Sequence, residues 1–309
     1  MKKFDYYYAC AVGKMLTASE FLLKAVTPVN AKGLSKEYGV AYGNNKSQKI
    51  DIFYPRVTDT SKRPLMFYIH GGGFISGTTA LRRTYCSTMA KQGFFVVNVG
   101  YQLAPKSHFP NQLQDIFKAI DFVLDRAEQY NLDTDKIVIA GESAGAYFAS
   151  FIATITCDKS LYSQNSIDFQ HINDFKVGCT VLINGAYSIN EILKAKAPFC
   201  KTYVKAFFDL TNKDLKDKQV ICKQDFSPLG FIKNDYPPTV VIRGKYDAFD
   251  LGTKTLLNVL DSAGANYSLY RTKGIAGLHA VCIIPISKDA VRSQKFTVGK
   301  IKEYLNIGD

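Results

Sequence analysis

The 309-residue sequence predicts an α/β fold: an open, mostly parallel sheet with helices on both faces. Short apolar or alternating runs bounded by turn residues alternate along the chain with longer stretches of helical periodicity. The middle runs are apolar almost throughout (Val-Val-Asn-Val, Ile-Val-Ile-Ala, Thr-Val-Val-Ile), which is typical of parallel strands buried on both faces. The regular alternation of strand and helix favours helices that cover a parallel sheet.

Each predicted element rests on its own local pattern. The strands are predicted over residues 48–54, 65–70, 94–99, 136–140, 178–183, 239–243 and 266–271. The helices are predicted over residues 78–92, 111–130, 144–156, 251–263 and 289–305. The helix over 111–130, for example, places Leu113, Ile116 and Ile120 on one face, which is the spacing of a helix that packs on a sheet.

Two segments do not follow the alternation. Residues from about 1 to 40 precede the first predicted strand and include a helical stretch over 7–25, and residues 187–225 are rich in Lys and Phe. The second segment follows a strand, at the edge where open α/β sheets bind ligands. We therefore expect residues 1–309 to form a single domain in which these two segments build a small helical cap over the site.

The charge and cysteine content narrows the function classes. The net charge is +12, but the basic residues are scattered and interleaved with acids, which favours a lysine-rich solvated surface over a nucleic-acid partner. The seven cysteines have neither disulfide-framework nor zinc-ligand spacing, which indicates a reducing compartment. The N-terminal stretch is a poor signal peptide, and the longest uncharged helical run, residues 143–157, is too short to span a bilayer. We expect a cytoplasmic protein without stable membrane insertion.

The strongest motif is Gly141-Glu142-Ser143-Ala144-Gly145, which lies between a predicted strand and a predicted helix. This is the context of a nucleophile elbow, in which a strained turn points the serine Oγ out of the sheet. Strand and helix approach closely at such a turn, and Gly141 and Gly145 supply the small residues that this approach needs. The motif predicts Ser143 as a nucleophile; a chance match in a glycine–serine turn is the alternative.

A second motif, His70-Gly71-Gly72-Gly73-Phe74, follows the apolar run over residues 65–69. Consecutive glycines leave backbone N–H groups uncovered and able to converge on one point. An acyl-transfer enzyme needs that arrangement to hold the oxyanion of a tetrahedral intermediate. The alternatives are a flexible glycine turn and a phosphate-binding loop, but the Lys-Ser/Thr of a phosphate-binding loop is missing.

The general base must be sought among four histidines: His70, His108, His171 and His279. His70 precedes the glycine loop and more plausibly shapes it, and His171 lies in a polar stretch. In a triad on this kind of fold the base follows the serine and lies near the end of the chain, which favours His279 over His108. A buried structural histidine is the alternative for His279.

Two carboxylates, Asp247 and Asp250, compete for the role of the acid that orients the imidazole. Both follow the strand over residues 239–243, at the edge where catalytic groups collect. Asp250 directly precedes the helix over 251–263 and suits an N-cap, which leaves Asp247 for the triad.

Together these motifs resemble those of the hormone-sensitive-lipase-type family of α/β-hydrolase esterases, over roughly residues 64–305. The matching residues are His70–Phe74, Gly100-Tyr101-Gln102-Leu103-Ala104-Pro105, Phe109-Pro110, Asp115, Gly141–Gly145, Ser227-Pro228-Leu229, Pro237-Pro238, Gly244–Asp250 and His279. The resemblance implies an α/β-hydrolase fold with a Ser143–Asp247–His279 triad. It also implies an oxyanion hole formed by the backbone N–H groups of Gly72, Gly73 and Ala144.

The motifs predict hydrolysis of small carboxylic esters through an acyl-enzyme, and the short cap segments favour short acyl chains. An amidase, formamidase or deacetylase that uses the same triad stays open. So does, from another class, a non-catalytic ligand receptor on a hydrolase scaffold. We expect no cofactor and no metal, a small-molecule ester as partner, and no apolar surface helix suited to a lipid interface. A homodimer stays open.

Overall fold

A mixed sheet organises the fold. The computed structural model describes residues 1–25, 27–56, 61–224 and 227–308. Within those residues eight strands form the sheet: β1 (Leu34–Ala41), β2 (Lys49–Pro55), β3 (Arg63–Ile69), β4 (Phe95–Val99), β5 (Leu132–Glu142), β6 (Cys179–Ile183), β7 (Thr239–Gly244) and β8 (Tyr267–Thr272). Their order is β1-β2-β4-β3-β5-β6-β7-β8; β1, β2 and β4 pair antiparallel, and all pairs from β4 to β8 are parallel.

Helices cover both faces of this sheet. The described residues include α1 (Lys3–Ala25), α2 (Thr79–Ala90), α3 (Asn111–Leu124), α4 (Ala144–Cys157), α5 (Ser160–Gln164), α6 (Ile189–Lys194), α7 (Cys200–Phe208), α8 (Lys218–Gln224), α9 (Asp250–Ala263) and α10 (Lys288–Tyr304). Alternate residues of β3 point to opposite faces: Leu65 and Phe67 pack with α3, α4 and α9, whereas Met66 and Tyr68 pack with α2 and α10. The predicted α/β fold is confirmed.

The edge strand β1 corrects part of the sequence prediction, because residues 34–41 belong to the sheet and not to a cap segment ending near residue 40. The strand pairs with β2 from Leu34 beside Pro55 to Ala41 beside Lys49. Only Leu34 is buried, whereas Lys36 and the other residues are exposed or half-buried. An edge strand of this kind lacks the apolar run by which a central strand is recognised.

The remaining part of the first segment is α1, which lies against α7 of the second segment. Ala9 and Val12 of α1 are buried beside Ala206 of α7. At the start of the helix the Asp5 carboxylate pairs with the Lys205 ammonium at 2.5 Å, and both side chains are about nine-tenths buried. The contact joins the two segments over one end of the sheet. Val26 of the first predicted segment and Asp225 of the second lie outside the described residues.

The opposite side of α1 is apolar as well, which corrects the expectation that no apolar helix faces the solvent. Phe4, Tyr7, Tyr8 and Met15 are all exposed on that side. Among the helices that the structure describes, none combines the length and the apolar character needed to cross a bilayer.

Candidate active site

The turn after β5 places Ser143 at the start of α4 in a strained conformation. Its φ of 54° and ψ of −119° lie in a region that non-glycine residues rarely adopt. A Cβ on Gly141 would lie 2.3 Å from the Gly145 carbonyl oxygen, and a Cβ on Gly145 would lie 2.0 Å from that of Ile69. Because such distances are prohibitive, both positions require glycine. The turn has the geometry expected of a nucleophile elbow.

The imidazole of His279 connects the serine to a carboxylate. Its Nε2 lies 2.8 Å from the Ser143 Oγ, and its Nδ1 lies 2.7 Å from the Asp247 Oδ1. If Nδ1–H donates to the carboxylate, Nε2 is free to accept the serine hydroxyl proton. The structure thus brings together Ser143, Asp247 and His279, which come from the loops after β5, β7 and β8.

The Asp247 carboxylate is held from two further sides. The Asn184 Nδ2 donates to its Oδ2 at 2.8 Å, and the Phe249 backbone N–H donates to its Oδ1 at 2.9 Å. These bonds matter because the Asp247 side chain is fully buried, and a buried polar group without hydrogen-bond partners costs stability. Asn184 was not predicted from the sequence. The sequence signal for Asn184 is that it is a polar residue directly after the buried strand β6, at the edge of the sheet where ligands bind.

Asp250 is the first residue of α9, which corrects its prediction as an N-cap. The N-cap is Phe249, and no side chain caps this helix end. The Asp250 carboxylate instead accepts two hydrogen bonds from Arg243, at 2.5 and 2.9 Å, and pairs with Lys254 at 2.8 Å. Partial burial raises the pKa of Asp250, but Arg243 and Lys254 together lower it more. The pKa of Asp250 therefore lies below its ordinary value. Asp250 therefore has its own cationic partners and does not contact the histidine.

The glycine loop lies beside the elbow because β3 and β5 are neighbours, with Ile69 paired to Gly141. Gly72 and Gly73 have positive φ angles of 116° and 57°. Among the residues that the structure describes, no hydrogen bond uses the N–H groups of the three predicted oxyanion donors, Gly72, Gly73 and Ala144. By contrast, the Gly71 N–H donates to the Glu142 Oε1 at 2.8 Å. Gly72, Gly73 and Ala144 line the same cavity as Ser143.

A buried charge network, which the sequence analysis did not predict, lies under this loop. The fully buried Glu142 carboxylate accepts hydrogen bonds from the Gly71 N–H, from the Arg82 Nε at 2.5 Å and from the Tyr68 hydroxyl. Arg82 also pairs with Glu20 of α1 at 2.6 Å. Burial lowers the pKa of Arg82, but the Glu142 and Glu20 carboxylates raise it more, so the guanidinium stays charged. The network links α1 to the glycine loop.

Arg82→Met is expected to lower the free energy of unfolding by about 3–5 kcal/mol, because it leaves the buried Glu142 carboxylate without its cation. Urea denaturation measures the change. Lys300→Met is the control, since it removes an exposed ion pair with Glu303 and should change stability little. Equal effects of the two variants would contradict a structural role for the buried pair.

A cavity of about 260 Å³ opens onto the serine. The glycine loop, Ser143 and His279 form one side of it. The other walls are mostly apolar and include Leu16, Phe74, Leu81, Ala186, Ile192, Tyr203, Phe249, Val281, Ile283 and Ile284. In the part of the chain that the structure describes, no group of three or more His, Cys, Asp or Glu side chains could hold a metal ion.

The other three histidines do not join the hydrogen bonds that connect Ser143, His279 and Asp247. His70 is fully buried, its ring stacks on Tyr101 at 4.5 Å, and its Nδ1 lies 2.7 Å from the Gly71 carbonyl oxygen. Burial lowers the pKa of His70 to about 4, so the ring is neutral near pH 7 and its N–H can hold the loop, as expected from the sequence. His108 bonds a carbonyl of α7, and His171 pairs with two aspartates at α3.

A mostly parallel sheet with a serine turn after β5, a carboxylate after β7 and a histidine after β8 defines an α/β-hydrolase. Comparison with known proteins agrees with this class. The family model described as BD-FAE matches residues 50–250, more than half of the chain. The chain belongs to the BD-FAE family, and the resemblance to hormone-sensitive-lipase-type hydrolases drawn from the motifs is confirmed.

Individual relatives and solved structures are named as esterases or as a deacetylase. An acetyl esterase from Salmonella schwarzengrund (strain CVM19633) is 24% identical over 264 residues, which cover 81% of this chain and 76% of that protein. An arylacetamide deacetylase from Oryctolagus cuniculus is 34% identical over 113 residues, 34% of this chain and 27% of that protein. The crystal structure of esterase B from Lactobacillus rhamnosis (HN001) superimposes with a TM-score of 0.85 at 22% identity, covering 98% of this chain and 96% of that one. The chain spans half or less of the length of the first curated relatives that it matches.

Proposed function

We propose that this protein is a serine carboxylesterase that cleaves short-acyl carboxylic esters through an acyl-enzyme. One observation carries the proposal: Ser143, His279 and Asp247 are connected by hydrogen bonds beside the Gly72, Gly73 and Ala144 N–H groups, which donate to no acceptor in the described part of the chain. Nucleophile, base, orienting acid and oxyanion donors are the four components that acyl transfer by serine requires.

In the acylation step the Ser143 Oγ attacks the ester carbonyl carbon while the His279 Nε2 takes the hydroxyl proton. The carbonyl oxygen becomes an oxyanion, which the N–H groups of Gly72, Gly73 and Ala144 stabilise. Collapse of this intermediate breaks the bond to the alkoxy group, and the imidazolium gives its proton to the departing alcohol. The Asp247 carboxylate stabilises the imidazolium while it exists.

In the deacylation step a water molecule takes the place of the alcohol. His279 removes a proton from the water as its oxygen attacks the acyl carbon, and the same three N–H groups hold the second oxyanion. The bond between the acyl carbon and the Ser143 Oγ then breaks, and His279 returns the proton to the serine. The products are a carboxylic acid and the free enzyme.

The size of the cavity supports a short acyl group. Ligand pockets typically measure about 300–1,000 Å³, and this cavity of about 260 Å³ falls just below that range. We propose that α1 and the helices α6, α7 and α8 form the cap of a single catalytic domain, since Leu16, Ile192 and Tyr203 contribute to the cavity wall. The six described cysteine side chains are free thiols, which supports a reducing compartment such as the cytoplasm.

The proposal is tested by labelling the purified protein with a fluorophosphonate and then assaying p-nitrophenyl esters of increasing acyl length. We expect covalent labelling at Ser143 and a kcat/KM that is highest for acetyl to butyryl esters and falls for decanoyl esters, because the longer chain exceeds the cavity. Ser143→Ala protein is the control for labelling. A kcat/KM that rises with chain length would contradict the short-acyl proposal, and absence of labelling would contradict the serine mechanism.

A second candidate function is amide hydrolysis with the same triad. It is favoured by the relative named arylacetamide deacetylase, which is 34% identical over the aligned segment. Assay of p-nitroacetanilide beside p-nitrophenyl acetate separates the two, since both deliver an acetyl group and differ only in the leaving atom. A kcat/KM for the anilide that matches or exceeds that for the ester would favour the amidase. A protein that binds esters without cleaving either substrate would be a receptor.

A further inference from the structure

We propose that the outer face of α1 docks on an anionic lipid surface. We define the outer face as the exposed apolar side chains Phe4, Tyr7, Tyr8, Ala11 and Met15. The exposed fractions of its four large members are 78% for Phe4, 61% for Tyr7, 44% for Tyr8 and 50% for Met15. Positions 4, 8, 11 and 15 follow helical spacing, so they form one stripe along the helix.

This stripe is not required for packing within the chain, because the opposite face of α1 already attaches the helix. Ala9 and Val12 are buried, and a Cβ on Gly13 would lie 2.3 Å from the Ile75 carbonyl oxygen, so the backbone of α1 lies close to the glycine-loop region. The Phe4 and Tyr8 rings stack on each other, with centroids 6.2 Å apart, while both stay exposed. The outer face is therefore an apolar surface exposed to water.

The charges around the outer face favour an anionic lipid surface as its partner. Lys2, Lys3 and Lys14 are exposed beside it, whereas the two acids of α1 are turned inward: Asp5 pairs with Lys205 and Glu20 with Arg82. An exposed apolar stripe bordered by lysines is the pattern of a helix that lies in a membrane interface. A second copy of this chain fits less well, because a symmetric contact would place the same lysines of two molecules with net charge +12 against each other.

Docking through α1 would bring the site to the lipid surface, since Leu16 and Glu20 of the same helix line the cavity that opens onto Ser143. The inference does not depend on the proposed esterase activity. Ser143→Ala protein keeps the outer face and should bind vesicles as the unaltered protein does, so failure of lipid binding and failure of hydrolysis are distinguishable.

The test is co-sedimentation of the full chain with vesicles of phosphatidylcholine, with and without phosphatidylserine. We expect binding only to the vesicles that contain phosphatidylserine, and its loss at high salt, since each lysine near an anionic surface contributes about fivefold to the partition coefficient. The triple variant Phe4→Ser, Tyr8→Ser, Met15→Ser should weaken binding about tenfold or more. Circular dichroism verifies that the variant is folded.

A matched control replaces three exposed apolar residues outside α1: Ile275→Ser, Ile286→Ser and Val291→Ser. Two of them lie beside Lys288 and Lys295, so this region is also apolar and basic. The control variant should bind vesicles as the unaltered protein does. Equal weakening by the two triple variants would overturn the assignment to α1, and so would equal binding to both kinds of vesicle.

A fluorescence reporter tests the contact directly, because the chain contains no tryptophan. Tyr8→Trp introduces one fluorophore on the outer face, and its emission should shift to shorter wavelength when phosphatidylserine vesicles are added. An unshifted spectrum with bound protein would overturn the proposal. Light scattering in lipid-free buffer tests whether a second copy of this chain binds the outer face instead. A dimer that the α1 triple variant converts to a monomer would show that the outer face is a self-association surface.

Discussion

Ser143→Ala is expected to lower ester turnover by about 10⁶-fold in a protein that stays folded. The change removes the Oγ that forms the acyl bond, and removal of the nucleophile costs about this much in serine hydrolases. The fold should be unaffected, because among the described residues the Oγ bonds only the half-buried His279 imidazole, at 2.8 Å. The measurements are kcat for p-nitrophenyl acetate and the melting temperature.

Ser150→Ala provides the matched control, since it removes a buried serine hydroxyl from the same helix, α4. The Ser150 Oγ lies 3.2 Å from the Tyr236 hydroxyl and takes no part in the site, so this variant should lose stability and keep its turnover. Folded Ser143→Ala protein with the turnover of the unaltered enzyme would refute the assignment of the nucleophile.

Asp247→Asn is expected to lower kcat by about 10⁴-fold, with a fall of a few degrees at most in melting temperature. An asparagine can offer its amide NH₂ where the carboxylate accepted the His279 Nδ1–H, which favours the tautomer with its proton on Nε2. That tautomer cannot accept the Ser143 proton. The volume is unchanged and Asn184 still bonds the amide oxygen at the Oδ2 position. The Phe249 N–H shares Oδ1 with His279 and loses its acceptor, which costs about 1 kcal/mol of stability.

Asp250→Asn is the comparison three residues away. It weakens the bidentate contact with Arg243 and the pair with Lys254, both partly exposed, and should cost a few degrees of melting temperature at most. Much of the activity should remain, because Asp250 does not contact the histidine. The two variants are assayed side by side. If Asp250→Asn is inactive and Asp247→Asn is active, the assignment of Asp247 as the carboxylate that orients His279 is wrong.

The sequence predicted the central part of the fold because those elements have strong local patterns. Strands β3 to β7 are apolar runs, and the glycines around Ser143 and in the loop after β3 are required by close backbone contacts, so both leave a clear signature. The order of nucleophile and base along the chain favoured His279, and Asp247 was selected by assigning Asp250 to a helix cap. The structure brings Asp247 and His279 to Ser143.

What the sequence could not predict depends on contacts between distant residues. The Asp250 carboxylate suits an N-cap by position, but its bonds to Arg243 arise only once β7 and α9 pack together. Glu142 is a variable position within its motif, and its partner Arg82 lies 60 residues away. The exposed side of α1 was missed because a helix with two apolar faces has no clear amphipathic pattern, so sequence alone does not separate the buried face from the exposed one.

The ion pair between Asp5 and Lys205 has a consequence for synthesis of the chain. Lys205 is made 200 residues after Asp5. At about 5–20 residues per second, α1 leaves the ribosome about 10–40 s before α7, against which it packs. During that interval α1 can contact the loop after β3 and Arg82 of α2, but the side of the helix that packs on α7 lacks its partner. Completion of the contact between α1 and α7 is therefore a late step, and until it forms more of the apolar surface of α1 faces water.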